Sequence, residues 1–285
     1  MMDTLSAVLL GLVQGLTEFL PVSSSAHLTA AEALLGVKSP PLVSAVALHC
    51  GTLLSILIVF GRDLWAISID GIRGCWIYLQ RGDSKTVSEE APLFGTAAAI
   101  VVGTIPAGVA GVLLHEKFER AFGSLTASGA FLMVTGLFLL ASRLAPKPKV
   151  DRVGAGRGFL IGVAQAVAIL PGISRSGSTI VAGCMLGVDR RAAGRFAFLL
   201  AVPALAGAAA LEVLRNRQAL FASAPGGRDS LIQVGTLAAG ALVAAVVGTI
   251  CLIILLRIIE RGRLHWFAAY CLPAGAAMAI AGMLR

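Results

Sequence analysis

The sequence predicts an all-α polytopic membrane protein with six transmembrane helices and two re-entrant helical hairpins, arranged as an inverted-topology repeat. Its 285 residues are 57% hydrophobic and 13% charged, about half the charged fraction of roughly 25% in soluble domains. Several nearly uncharged runs reach the roughly 20 residues that cross a bilayer. Two further regions hold shorter apolar runs around a polar stretch, and these two regions resemble each other.

The six predicted spans are the long apolar runs, at residues 42–60, 92–114, 124–144, 195–214, 231–256 and 266–284. The shorter runs come in pairs, 5–20 with 28–37 and 159–170 with 179–188. Apolar runs too short to span and interrupted by Pro and Gly are typical of re-entrant segments. Residues 64–79 mix apolar side chains with Asp70 and Arg73, which predicts an interfacial helix rather than a span.

The repeat is visible in two aligned stretches, "GLVQGLTEFLPVSSS" and "GVAQAVAILPGISRS". Each stretch is followed by three predicted spans, so the second copy enters the membrane from the opposite side. In inverted repeats of this kind, the functional site lies near the midplane where the broken helices meet. We therefore predict a single integral-membrane domain over 1–285. Its halves are 1–144, with a hairpin at about 5–37, and 157–285, with a hairpin at about 159–188.

Charge and cysteine content narrow the possible partners. The net charge is +8, but the basic residues lie in short loops between apolar runs, where they indicate membrane orientation rather than a nucleic-acid partner. The five cysteines show no metal-ligand spacing. The N-terminus has no basic region before its first apolar run, which contains Gln14 and Glu18. We therefore expect it to remain in the mature protein.

The first polar stretch can build a helix N-terminus inside the membrane. Pro21 breaks the incoming helix, and Ser23, Ser24 or Ser25 can cap the helix that follows. The first N–H groups of that helix, and its positive dipole end, then point into the site.

The second polar stretch, "SRSGST", offers the same arrangement with Ser174 or Ser176 as the cap. Gly177 allows close backbone approach, and Thr179 adds a hydroxyl to the predicted substrate-binding set. An arginine at membrane depth needs an anionic partner, and the guanidinium of Arg175 suits phosphate oxygens. Two facing helix N-termini and an arginine predict an anion site, although a structural ion pair between Arg175 and Glu18 would also meet this need.

The first stretch also carries reactive groups. Ser24 and His27 are three residues apart, on one face of a helix, which is the arrangement of an activated nucleophile. Glu18 could orient His27, accept a proton or bind a cation, and Gln14 lies one turn before it. His49, within the first predicted span, is better explained as a histidine satisfied inside the bundle.

These residues carry a resemblance to a known family. "QGLTEFLPVSSSAHL" and "LPGISRSGSTI" resemble the two signature motifs of the bacterial undecaprenyl-diphosphate phosphatases, also called bacitracin-resistance proteins. "GRFAFLLAVPAL" and "LHCGTLLSIL" are similar to the family's spans, so the resemblance covers essentially the whole chain. Two positions depart from the pattern: Gln14 stands where many members have Glu, and Ala26 stands where Gly is common.

The resemblance implies an enzyme that hydrolyses undecaprenyl diphosphate to undecaprenyl phosphate and phosphate. This reaction recycles the lipid carrier for cell-wall synthesis and confers bacitracin resistance. The resemblance also implies a divalent cation, Mg²⁺ or Ca²⁺, for which Glu18 is the candidate ligand. The predicted catalytic residues are Glu18, Ser24, His27 and Arg175. The predicted substrate-binding residues are Gln14, Ser23, Ser25, Ser174, Ser176, Gly177 and Thr179.

The mechanism has open alternatives at this point. Ser24 is expected to attack the distal phosphorus, with Glu18 or His27 taking its proton, and the phosphoserine is then hydrolysed. Direct attack by water, or by His27, would also fit these residues. A secondary transporter or flippase of a polyprenyl phosphate or another anionic substrate is the competing class, because inverted repeats with broken helices are a transporter architecture.

Basic residues predict the orientation in the bacterial inner membrane. Fifteen Lys and Arg side chains fall on the side that contains the loops after the first, third and fifth spans, and seven fall on the other side. The positive-inside rule places the richer side in the cytoplasm. Both termini, and a pocket that contains Ser24, are then expected to face the periplasm. The sequence carries no indication of oligomeric state.

Overall fold

The computed structural model describes residues 3–37, 42–113, 124–215 and 228–284. Within these ranges the chain forms eleven α-helices, two short 3-10 helices and one isolated bridge, with no strand. The helices are α1 (Thr4–Thr17), α2 (Ser24–Leu35), α3 (Leu42–Arg81), α4 (Ser84–Glu90), α5 (Phe94–Leu113), α6 (Leu125–Ala141), α7 (Ala155–Val167), α8 (Arg175–Met185), α9 (Arg190–Arg215), α10 (Arg228–Glu260) and α11 (Ala268–Met283). The predicted all-α class is confirmed. Some basic residues used for the orientation lie outside the described ranges, namely Lys38, Lys117, Arg120, Arg217 and Arg285.

The six predicted spans are also confirmed as helices of sufficient length and apolarity. They are Ser44–Arg81, Phe94–Leu113, Leu125–Leu144, Arg190–Arg215, Gln233–Glu260 and Leu264–Met283. Most large side chains on their surfaces are apolar and exposed, such as Ile58, Val101 and Leu242. Exposed apolar side chains of this density suit a surface that lies against lipid tails.

The prediction of a separate interfacial helix at 64–79 is wrong. This stretch continues the first span without a break, as part of the 40-residue helix α3. No proline lies between residues 42 and 81, so nothing interrupts the helical hydrogen bonds. At 1.5 Å per residue α3 is about 60 Å long, twice the thickness of the hydrocarbon core. Arg73 and Arg81, in the C-terminal half of α3, donate hydrogen bonds to Glu90 at the end of α4.

Four short helices occupy the two interrupted regions. Helices α1, α2, α7 and α8 have 14, 12, 13 and 11 residues, too few to cross a bilayer. A loop that contains Pro21 joins α1 to α2, and a loop that contains Pro171 joins α7 to α8. The chain therefore has a helix–loop–helix unit at each position where the sequence predicts a hairpin.

The two incoming helices pack in matching ways on spans of the other half of the chain. Helix α1 lies along α10, and α7 lies along α5. A β-carbon at Gly11 would overlap the carbonyl oxygen of Gly240, and one at Gly162 would overlap the carbonyl oxygen of Gly103. Small residues at these contacts let the backbones of neighbouring membrane helices touch directly. Each incoming helix is therefore held tightly against a span.

Aromatic packing anchors the end of α1. Phe19 is fully buried, and its ring meets that of Phe198 edge-to-face with a centroid separation of 5.9 Å. Phe60 stacks on the other side of Phe198 at 6.2 Å. Because Phe19 follows Glu18 directly, this cluster fixes the position of the carboxylate at the start of the first loop.

Candidate active site

The loops that precede α2 and α8 lie against each other. The backbone N–H of Gly172 donates to Ser25 Oγ at 3.2 Å, although 147 residues separate them. Ser176 Oγ is 3.4 Å from the carbonyl oxygen of Leu20. The structure therefore brings the two polar stretches into one site.

Glu18 is the centre of this site. Only 8% of the residue is exposed, and its Oε1 atom is paired with the guanidinium of Arg175. Its Oε2 atom accepts hydrogen bonds from Ser24 Oγ at 2.6 Å and from Gln14 Nε2 at 3.0 Å. His49 Nε2 lies 4.0 Å from the same oxygen. The structure thus connects Gln14, Ser24 and Arg175 through one buried carboxylate, and it places His49 at the edge of the site.

His27 has a different set of partners. Its Nδ1 atom lies 2.8 Å from the carbonyl oxygen of Ser23. A carbonyl can only accept, so Nδ1 carries a proton. Nε2 lies 2.6 Å from the hydroxyl oxygen of Tyr270, and the two rings stack with centroids 5.6 Å apart. In the described contacts, Ser24 is therefore bound to Glu18, while His27 is bound to Ser23 and Tyr270.

The two helix N-termini differ in how they are capped. Ser174 caps α8, because its hydroxyl accepts the backbone N–H of Gly177 at 3.1 Å. Ser23 takes the N-cap position of α2 without such a bond, and its hydroxyl pairs with Ser25 Oγ at 3.0 Å. Ser23 also has a φ of +65°, a conformation that costs free energy for a residue with a β-carbon. The first N–H groups of α2 are thus left without a side-chain cap.

The remaining predicted substrate-binding residues pack within the junction. A β-carbon at Gly177 would lie 3.2 Å from the β-carbon of Pro21, which shows how closely the loops approach. Thr179 is 1% exposed and donates its hydroxyl to the carbonyl of Arg175 at 2.8 Å. Ser176 is buried beside Ser174, with 3.1 Å between their hydroxyl oxygens. In this structure these hydroxyls bond to groups of the loop and of the first turn of α8.

The oxygen atoms near Glu18 suit a cation that is shared with a substrate. Among the residues that the structure describes, no group of three or more His, Cys, Asp or Glu could hold a metal ion. However, Gln14 Oε1 is buried and has no described hydrogen-bond partner. Mg²⁺ is commonly held by one or two carboxylates together with substrate phosphate oxygens. Glu18 and Gln14 fit that role, with a diphosphate supplying the other ligands.

Thr135 and Tyr270 contribute to the site and were not identified from the sequence. Thr135 Oγ1 donates to the carbonyl of Gly172 and accepts the N–H of Ser174, both at 2.9 Å. This threonine, 1% exposed in α6, holds the loop that precedes Arg175. Hydroxyls in apolar spans usually bond back to their own helix, so its sequence context gives no sign of this role. Tyr270 has a weak signal only, as one of two tyrosines in the chain.

Comparisons with known proteins show the family of this chain. Residues 7–277 match the family described as "Bacitracin resistance protein BacA". The undecaprenyl-diphosphatase of Desulforapulum autotrophicum is 39% identical over 99% of this chain and 100% of its own length. The proteins of the same name from Desulfosudis oleivorans and Geobacter sulfurreducens are 41% and 40% identical, over 99% and 97% of this chain and 100% and 97% of their own lengths. The family resemblance seen in the sequence is thus confirmed, and the chain belongs to the bacitracin resistance protein BacA family.

Proposed function

We propose that the protein is an undecaprenyl-diphosphatase, which hydrolyses undecaprenyl diphosphate to undecaprenyl phosphate and inorganic phosphate. The reaction recycles the lipid carrier for cell-wall synthesis and confers bacitracin resistance. The main structural support is the hydrogen bond from Ser24 to a buried carboxylate whose other oxygen binds Arg175. The names of full-length relatives at about 40% identity supply the substrate.

In the first step, Ser24 Oγ attacks the distal phosphorus of the diphosphate. A bond forms between this oxygen and phosphorus, and the bond from phosphorus to the bridging oxygen breaks, releasing undecaprenyl phosphate. Glu18 takes the serine proton, since Ser24 already donates to Glu18 Oε2 at 2.6 Å. The contacts of His27 with Ser23 and Tyr270 favour Glu18 over His27 as this base. His27 is then a residue that positions the start of α2.

Arg175 couples substrate binding to the activation of Glu18. In this structure Arg175 is paired with Glu18, which supplies the anionic partner that an arginine needs at membrane depth. A diphosphate carries more negative charge and suits the guanidinium fork, so it competes for Arg175. Once Arg175 turns to the phosphate, the carboxylate of Glu18 is released from the ion pair and is free to take the proton of Ser24. The base thus becomes available when a substrate is present.

The N-terminus of α2 supplies further stabilisation of the transferred phosphoryl group. Its first N–H groups have no side-chain cap, and the positive dipole end of a helix favours an anion. Preorganised donors aimed at developing charge are a large source of rate enhancement. Helix α8 is capped by Ser174 and contributes Arg175 instead.

The second step removes the phosphoryl group from Ser24. Glu18 first passes its proton to the departing undecaprenyl phosphate and then takes a proton from a water molecule. A bond forms between the water oxygen and phosphorus, the bond from phosphorus to Ser24 Oγ breaks, and Glu18 returns the proton to Ser24 Oγ as inorganic phosphate leaves. A divalent cation held by Glu18 and Gln14 would neutralise part of the negative charge of the diphosphate.

We further propose that α1–α2 and α7–α8 are re-entrant hairpins of an inverted repeat with halves 1–144 and 157–285. Their helices are too short to span, and their packing supports the symmetry. Exchanging the halves converts the α1–α10 contact into the α7–α5 contact, and both contacts are made through glycine.

The pocket is proposed to open towards the periplasm from the bacterial inner membrane, on the basis of the distribution of basic residues. Single cysteines at two exposed positions, Ala33→Cys and Lys147→Cys in a cysteine-free background, test this orientation. An impermeant thiol reagent applied to intact cells should label the first and spare the second. The reverse pattern would invert the topology.

The experiment that tests the activity measures phosphate release from undecaprenyl diphosphate by the purified protein. Ser24→Ala should lower turnover by at least about a thousandfold, because the nucleophile is removed, while substrate binding is retained. Ser68→Ala, at an exposed position of α3, serves as the matched control and should match the wild type. Turnover of Ser24→Ala within tenfold of the wild type would exclude Ser24 as the nucleophile.

A further inference from the structure

A second basic cavity lies away from the reaction site. Its volume is about 210 Å³, and its rim contains Arg143, Arg190 and His265. Ile180, Cys184 and Ile259 form its apolar floor. Cys184 is nine residues after Arg175 on α8, or about 14 Å along the helix axis. The cavity therefore shares a helix with the reaction site but is distinct from it.

The cavity lies where several spans end. Arg143 is at the end of the span Leu125–Leu144, Arg190 begins the span Arg190–Arg215, and His265 is at the start of the span Leu264–Met283. The next residue, Trp266, is 59% exposed, and exposed tryptophans mark the interface between membrane and water. The cavity is thus at the depth of lipid headgroups.

The positive charge on the rim is not neutralised by an acidic partner. Within the described part of the chain, neither Arg143 nor Arg190 forms a salt bridge, and no carboxylate lines the cavity. The neighbouring Arg191 is paired with Glu260 at 3.1 Å. Asp189, the nearest acidic residue in sequence, accepts the N–H groups at the start of α9. Among the described residues, two guanidinium groups therefore line one cavity with no carboxylate within salt-bridge distance of either.

Gly262 makes room for one of these arginines. It has a φ of +68°, and a β-carbon at this position would overlap Nη1 of Arg190. The turn after α10 thus favours glycine for its backbone conformation. The guanidinium of Arg190, the mobile end of its side chain, packs against this glycine.

We propose that this cavity binds a phosphate group, supplied by an anionic phospholipid headgroup or by free phosphate. The guanidinium fork matches phosphate oxygens, and basic pockets between membrane helices on the cytoplasmic side bind anionic headgroups. The cavity has the volume of roughly seven water molecules, enough for a tetrahedral phosphate. Because Ile180 and Cys184 of α8 form part of the floor, the bound group stabilises the helix that carries Arg175.

The test measures ligand-dependent thermal unfolding of the purified full-length protein in neutral detergent. Phosphatidylglycerol and inorganic phosphate are titrated separately, with phosphatidylcholine as the lipid that has no net charge. The cavity variant is Arg143→Gln with Arg190→Gln. The matched control is Arg257→Gln with Arg261→Gln, which removes two exposed charges near the same membrane surface but outside the cavity.

The cavity variant should bind the effective ligand at least about tenfold more weakly, since each charge-assisted hydrogen bond is worth a factor of ten or more. The control should bind like the wild type, and neither variant substitutes a residue of the reaction site. If the cavity variant loses only the response to phosphatidylglycerol, the lipid headgroup is the source of the phosphate group. If it loses the response to inorganic phosphate, the free ion is the source. Arg143→Gln alone, at an exposed position, provides the comparison if the double variant does not fold. Equal responses of the cavity and control variants, or no wild-type response to either ligand, would refute the proposal.

Discussion

Replacing Thr135 by valine tests whether the loop that precedes Arg175 must be held in place for activity. Valine keeps the shape of the side chain and removes the hydroxyl. That hydroxyl donates to the carbonyl of Gly172 and accepts the N–H of Ser174, each at 2.9 Å. All three residues are buried. Thr135→Val therefore leaves two buried backbone groups of the second loop without a partner.

The cost follows from these two contacts. An unsatisfied buried polar group costs about 1–3 kcal/mol, whereas side-chain hydrogen bonds in a membrane protein average about 0.6 kcal/mol. Two lost bonds therefore destabilise the fold by about 1–6 kcal/mol. Because the loss falls on the loop that positions Arg175, we expect part of it, about 1–3 kcal/mol, to appear in the barrier. This corresponds to a decrease of about fivefold to 150-fold in kcat/KM.

Thermal unfolding in detergent and phosphate release from undecaprenyl diphosphate measure the two effects separately. Thr135→Ser, which retains the hydroxyl, should recover most of the activity. Thr104→Val is the matched control, because Thr104 Oγ1 donates to the carbonyl of Ile100 in its own helix at 2.8 Å, and this carbonyl also accepts a helical N–H. If Thr135→Val and Thr104→Val have equal activity and stability, Thr135 does not support the loop.

Other substitutions test the contacts of the site. Arg175→Lys keeps the charge but loses the bidentate binding of phosphate, so kcat should fall at least about tenfold. If the lysine variant is as fast as the wild type, Arg175 acts only as a point charge. Gln14→Glu places a second carboxylate beside Glu18 and should make activity depend more steeply on Mg²⁺ or Ca²⁺, and an unchanged cation titration would place Gln14 outside the binding region. Tyr270→Phe removes the hydroxyl that meets His27 Nε2 at 2.6 Å. Because His27 positions the start of α2, the variant should lower kcat/KM with little change in unfolding temperature. An unchanged kcat/KM would mean that this contact is not used in turnover.

Local sequence was sufficient for much of the fold. The spans are long apolar runs, and Pro21 and Pro171 indicate where the loops between the short helices lie. The continuation of α3 through 64–79 was missed because Asp70 and Arg73 resemble an interfacial pattern. These groups are satisfied by tertiary partners, since Asp70 accepts the N–H of Leu93 at 2.9 Å.

The sequence suggests which residues belong to the candidate site, but it does not indicate how they pair. Motif residues such as Glu18, Ser24 and Arg175 could be singled out because polar and ionisable groups are rare in apolar membrane segments and usually have a function there. Which of Glu18 or His27 is bonded to Ser24 depends on the turn between α1 and α2, where Ser23 has a positive φ. A serine in the sequence gives no indication of a positive φ. The orientation of His27 depends on Tyr270, 243 residues away in the chain.

The glycine contacts of α1 and α7 have a consequence for movement during the catalytic cycle. Backbones that touch with no side chain between them cannot slide past each other without first separating, so α1 moves together with α10 and α7 moves together with α5. By contrast, α2 buries only Ala26 and Leu28. Of α1 and α2, the second is therefore the one that can shift at the lower cost when a long isoprenoid tail passes between bilayer and protein. The helix that carries Ser24 would then move aside to admit the tail, while the other helices of the bundle keep their positions.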